Sequence, residues 1–139
     1  MIIMSVDLGD ARTGVAVSDS SETFAFPKGV IKEYNKEKLL GKLCEKAREL
    51  GAELLVVGYP KNMDGSAGFK AQECESLGKR LAEMCSLPLV LWDERCTTVS
   101  AHTALNYTDT RGKKRKEIVD AVAATIILED YLARRKQGN

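Results

Sequence analysis

The chain has almost no net charge, a single histidine, no C-x-x-C pair and no long apolar run, and each shortage removes a class of function. A formal charge of +1 exerts no global pull on nucleic acid, so any basic binding surface must be local. His102 has no serine or cysteine nucleophile arranged around it in the sequence, and triad chemistry needs a base held by a third group. It reads as a structural or surface residue. Cys44, Cys74, Cys85 and Cys96 are spaced too widely for a zinc knuckle and lie mostly in or beside apolar helical patterns, which predicts inert core thiols. No apolar stretch approaches the roughly 18 residues of a membrane span, and the opening Met-Ile-Ile-Met-Ser-Val-Asp lacks the basic start and length of a secretory signal. The expected compartment is the cytoplasm. Internal repeats, low-complexity tracts and linkers are also missing.

What is present is the make-up of one folded domain: 139 residues, 44% apolar and 29% charged. Residues 2–8 are apolar on both alternating sets, as in a strand covered on both faces. Residues 9–14 supply turn types, 15–18 read as a returning strand, and a third strand is expected at 29–33. Leu39, Leu40, Leu43, Cys44, Ala47 and Leu50 recur at helical spacing and Gly51 follows, predicting a helix over 36–50. A buried strand over 53–57, a loop to Gly68, a helix carrying Cys74, Leu77, Leu81, Ala82 and Cys85, and a strand over 87–92 come next. Residues 97–105 suggest a short helix, 106–114 a mobile loop, and 116–133 a final helix. Strands first, then alternating helix and strand, imply an α/β fold with a mixed five-stranded sheet and helices on both faces.

Three carboxylates stand where burial should forbid a lone charge. Asp7 follows Ile2, Ile3, Met4 and Val6; Glu94 ends the run Leu89-Val90-Leu91-Trp92, beside Asp93; Asp120 is enclosed by Ile118, Val119, Ala121, Val122, Ala123 and Ala124. Carboxyl ends of parallel strands share one edge, where open α/β sheets bind ligands. If the first and fifth strands are parallel, Asp7 and Glu94 meet there, and Asp120, in the opening turn of the last helix, completes the cluster. A divalent ion would relieve the repulsion, and oxygen-only donors favour Mg2+ or Mn2+. Each acid also has a local alternative: Asp7 accepting from the turn at 9–14, Glu94 paired with Arg95 or Arg12, Asp120 favoured by a helix start.

Arg111-Gly112-Lys113-Lys114-Arg115-Lys116 places five cations in six residues just before Asp120, either as a solvated face or as a phosphate contact. Arg12, Lys61 and Arg95 are further candidates for holding phosphates, arginine by its planar fork.

These residues also carry a resemblance. Val6-Asp7-Leu8-Gly9-Asp10-Ala11-Arg12-Thr13-Gly14-Val15-Ala16-Val17-Ser18-Asp19, then Val57-Gly58-Tyr59-Pro60 with Asn62-Met63-Asp64-Gly65-Ser66, then Asp93-Glu94-Arg95 with Thr97-Thr98, then Asp120-Ala121-Val122-Ala123-Ala124 resemble, in order, the blocks of the YqgF (RuvX-type) family. Its members are described as candidate Holliday junction resolvases and as nucleases trimming the 5′ end of pre-16S ribosomal RNA. The resemblance implies an RNase H-like fold in a single domain spanning 1–139, with Asp7, Glu94 and Asp120 as catalytic metal ligands and Asp93 as a possible fourth. It further implies two metal ions roughly 4 Å apart, with Asp7 bridging them. The partner would be precursor rRNA or branched DNA, and the enzyme a monomer or homodimer. RuvC-type resolvases carry a second acid three residues after the helix aspartate, where this chain has Ala123. Two rivals keep the same strand order: a half-domain of the actin-like ATPases, and a non-catalytic RNA-binding assembly factor.

Overall fold

In the computed structural model the described residues are 1–9, 11–59, 68–93 and 113–137. Five strands, β1 (Ile3–Leu8), β2 (Arg12–Ser18), β3 (Ala25–Lys32), β4 (Leu54–Tyr59) and β5 (Leu89–Asp93), form one sheet in the order β3-β2-β1-β4-β5. β1 pairs antiparallel with β2 and parallel with β4, and β4 runs parallel with β5, so the sheet is mixed as expected.

Three helices are described: α1 (Lys36–Leu50), α2 (Phe69–Cys85) and α3 (Lys113–Gln137). α1 has the bounds its sequence predicts because both ends are locally encoded. The Asn35 side chain accepts from the Lys38 amide at 3.0 Å, and Gly51 stops the helix at φ 71°, where a Cβ would be strained.

Alternation along β1 sorts the core into two layers. Met4, Val6 and Leu8 pack with Leu39, Leu40 and Leu43 of α1 and Leu77 and Leu81 of α2. Ile3 packs on the other face with Ala124, Ile127, Leu128 and Leu132 of α3. Helices thus cover both faces, and the nearly uniform burial of β1 follows from its central place. Cys44 and Cys74 are buried in the first layer and Cys85 lies at its margin. Burial, and secondarily the neighbouring Cys44, pushes the Cys85 thiol up to about 12, as suits an inert core thiol.

Several boundaries differ from the sequence reading. β2 begins at Arg12, three residues early, because Thr13 and Gly14 pair with Leu8 and Asp7 instead of turning. β3 begins at Ala25: Pro27 is tolerated on an edge strand, and a bulge opposite Val15/Ala16 absorbs the irregularity. α3 begins at Lys113, so the end of the stretch read as a loop is helical, and α3 also continues past Ala133 to Gln137. The short helix expected at 97–105, with Cys96 and His102, lies outside the described residues.

Candidate metal and nucleic-acid site at the carboxyl edge

The parallel strands β1, β4 and β5 end together at Leu8, Tyr59 and Asp93, which creates the edge where such sheets take ligands. Asp7 is one residue from the end of β1 and half-buried. Ile3, Ser5 and Asp7 alternate onto the α3 face.

Both neighbouring strands place a glycine beside this residue. Gly14 of β2 is the register partner of Asp7. On the other side Val57 of β4 pairs with Val6, which brings Gly58 level with Asp7. Asp7 is therefore flanked on its own face by two residues without side chains, although both lie in a buried part of the sheet. Gly14, read from the sequence as part of a turn, is a strand residue paired with Asp7, and it adds no side chain beside that carboxylate.

Helix α3 supplies the roof. Ser5 Oγ donates to the Ala124 carbonyl at 2.6 Å, fixing the helix over β1. At the far edge Glu22 accepts from the N-terminal ammonium at 3.1 Å and pairs with Arg135 near the end of α3. The Glu22 carboxyl is held below its ordinary value chiefly by that ammonium, with Arg135 adding to the effect. α3 accordingly runs antiparallel to β1. From Ser5 to Asp7 is about 6.7 Å along a strand, and from Ala124 back to Asp120 is about 6 Å along a helix. The helix turn carrying Asp120 thus comes level with Asp7.

Asp120 is not in the opening turn of its helix, because α3 starts at Lys113 and the helix-dipole effect fades within the first turn. A favourable helix start therefore does not account for it. Glu94, Arg95, Lys61 and Arg111 lie outside the described residues. Asp93 does not join Asp7. Val90 and Trp92 pack in the α3 layer, so alternation turns Asp93 to the α1/α2 face, on a strand separated from β1 by β4. Asp93 therefore stands on the opposite face of the sheet from Asp7 by strand alternation.

Arg12 opens β2 at the carboxyl edge, half-buried, two residues from Gly14 and hence on the face of Asp7. Lys113, Lys114 and Arg115 form the first turn of α3, with no acidic residue among them. At 1.5 Å per residue, Lys113 lies about 10 Å beyond Asp120 along the helix. Cations at a helix start oppose the dipole, each at a cost of about 0.3–1 kcal/mol.

Comparisons with known proteins bear on this geometry. A family model described as RuvX, Holliday junction resolvase, matches residues 1–134. A protein of Thermoanaerobacter pseudethanolicus named as a candidate pre-16S rRNA nuclease is 39% identical over 137 residues, covering 98% of this chain and 99% of its own. One of Clostridium botulinum strain Eklund 17B, with the same name, is 42% identical over 134 residues, 96% of this chain and 98% of its own. Among solved structures, T. thermophilus RuvC in complex with a Holliday junction substrate superposes with a TM-score of 0.63 at 14% identity, covering 98% of this chain and 96% of that one. The fowlpox virus resolvase with Holliday junction DNA gives 0.61 at 12% identity, covering 96% and 98%. These likenesses establish the RNase H-like fold. With a family model spanning nearly the whole chain and full-length relatives near 40% identity, the chain belongs to the RuvX family of nucleases.

Proposed function

We propose that this nuclease is divalent-metal-dependent and trims the 5′ end of precursor 16S ribosomal RNA in the cytoplasm. The observation that carries the reading is the place of Asp7 at the carboxyl edge of the parallel strands, between Gly14 and Gly58 in register, with α3, which bears Asp120, fixed over β1. Carboxylate oxygens are hard donors, and an all-oxygen set suits Mg2+ or Mn2+ better than a thiol- or imidazole-seeking metal. Asp7, Glu94 and Asp120 would hold the metal, which when bound would activate water and neutralise charge on the leaving oxygen. Arg12 stands on the same face to hold a neighbouring phosphate, and Lys113, Lys114 and Arg115 extend that grip beyond the edge. Lys61, Arg95 and Arg111 are assigned the same task from the sequence. Cleavage would leave a 5′ phosphate.

The RNA reading rests on the names of the full-length relatives. Junction resolution is the second reading, favoured by the fold shared with two junction-bound resolvases. Ala123 counts against it, standing where RuvC-type enzymes carry a further acid. End trimming needs one active site and is open to a monomer, whereas symmetric resolution of a junction needs two. Among the described residues, no helix is long and apolar enough to cross a membrane.

Asp120→Asn tests the site. Calorimetric titration with Mn2+ is expected to show affinity at least about tenfold weaker than the unmodified protein, with melting in chelator-treated buffer unchanged or higher. A variant that melts early yet titrates Mn2+ normally would make Asp120 a structural residue.

A further inference from the structure

Lys36, the first residue of α1, is a cation at a helix start, where the dipole disfavours it. Its ammonium lies 3.5 Å from the Gly9 carbonyl and 3.8 Å from a carboxylate oxygen of Glu73 on α2, with the side chain about a third exposed (32%). Gly9 is two residues past Asp7, in the turn that leads to Arg12. Gly9 and Arg12 approach closely: a Cβ on Gly9 would meet the Arg12 carbonyl oxygen at 2.3 Å. A second tether comes from the same segment of chain, the Glu33 amide donating to the Ala11 carbonyl at 3.0 Å. Glu33 is itself fixed, accepting from Lys42 Nζ at 2.9 Å and the Asn35 amide at 3.2 Å, and its carboxyl is held below the ordinary value chiefly by Lys42. The stretch entering α1 thus meets the connection from β1 to β2 at Ala11 through a backbone hydrogen bond and at Gly9 through a 3.5 Å contact from Lys36.

We propose that Lys36 is a positioning residue for the nuclease site: by holding the Gly9 carbonyl, with Glu73 steadying the ammonium, it fixes the turn that sets Asp7 and Arg12 relative to each other. The proposal rests on the nuclease reading for its catalytic consequence but not for the tether itself. A rigid link of this kind acts on rate more than on binding, because small misplacements of reacting groups are costly in the transition state.

The test compares Lys36→Met, which keeps the aliphatic stem, with Lys36→Arg, which restores a cationic donor. A 5′-labelled single-stranded RNA of precursor-leader sequence is the substrate, with Mn2+ present. Lys36→Met is expected to lower kcat about tenfold while KM stays within about twofold and the salt dependence of binding is unchanged. Lys36→Arg should recover most of the loss. In metal-free protein, amide exchange should quicken at residues 9 and 11–12 in Lys36→Met and not in Lys36→Arg. A raised KM with a salt slope smaller by about one unit would make Lys36 a direct phosphate contact and overturn the positioning role. Unchanged exchange, or exchange faster throughout the chain, would overturn the tether. Absence of Mn2+-dependent cleavage by the unmodified protein would instead count against the nuclease reading, leaving the exchange result to decide the tether.

Discussion

Asp7→Asn is expected to lower metal-dependent cleavage by about a thousandfold or more, since it removes a ligand shared by the metal site. Its melting temperature in chelator-treated buffer should stay equal or rise. The two effects part because the charge is useful only when metal is bound. If Asp7, Glu94 and Asp120 share one metal site as proposed, their carboxylates would repel one another without metal, and asparagine keeps the size of aspartate while removing one charge. A gain of about 1 kcal/mol would shift melting by roughly 3–5 °C in a chain of this length. Cleavage assays across a Mn2+ titration, paired with calorimetric melting in chelator, measure both. Full activity in the variant would end the assignment of Asp7 as a metal ligand. Strong destabilisation with activity lost would make it a structural acid of the β1–β2 pair.

Replacing Lys113, Lys114 and Arg115 together with alanine is expected to weaken RNA binding by on the order of tenfold to a hundredfold near 0.1 M salt, without regard to sequence. As the first turn of a helix, these residues allow a sharper stability prediction than a loop would. Alanine is the better helix former and removes charges that oppose the dipole, so melting should hold or rise slightly. Fluorescence anisotropy with labelled RNA over a salt series should show the log–log slope flatten by about two units, the counterion release of three lost phosphate contacts on a single strand. An unchanged slope and affinity would show a solvated helix start, leaving Arg12 as the described cation on the face of Asp7.

What could be read from the sequence was what local chemistry encodes. α1 was legible because cap, apolar spacing and stop glycine all fall within its own residues. Asp7 was legible because a carboxylate at the end of an apolar strand is costly unless something pairs with it. The start of α3 was not, since a run of four cations at 113–116 hides a helix start that has no acidic first turn. The misplaced start carried Asp120 into the wrong turn. The two glycines beside Asp7 also escaped, because Gly14 and Gly58, 44 residues apart in sequence, are placed on either side of it only by strand register. Lys36 was invisible for the same reason: its partner is a backbone carbonyl 27 residues away. The alternation that turns Asp93 from Asp7 needed the packing of Trp92 against Tyr131 of α3, their ring centroids 5.8 Å apart, to fix which face is which.

Whether this RuvX-family chain is a metal-dependent nuclease of precursor ribosomal RNA is decided by presenting the purified protein with end-labelled precursor 16S RNA and a four-way DNA junction side by side, with Mn2+ and with chelator. The RNA is expected to shorten from its 5′ end, leaving a 5′ phosphate, only with the metal, while the junction stays intact. Symmetric cutting of the junction with the RNA untouched, or RNA cleavage that persists in chelator, would contradict that reading.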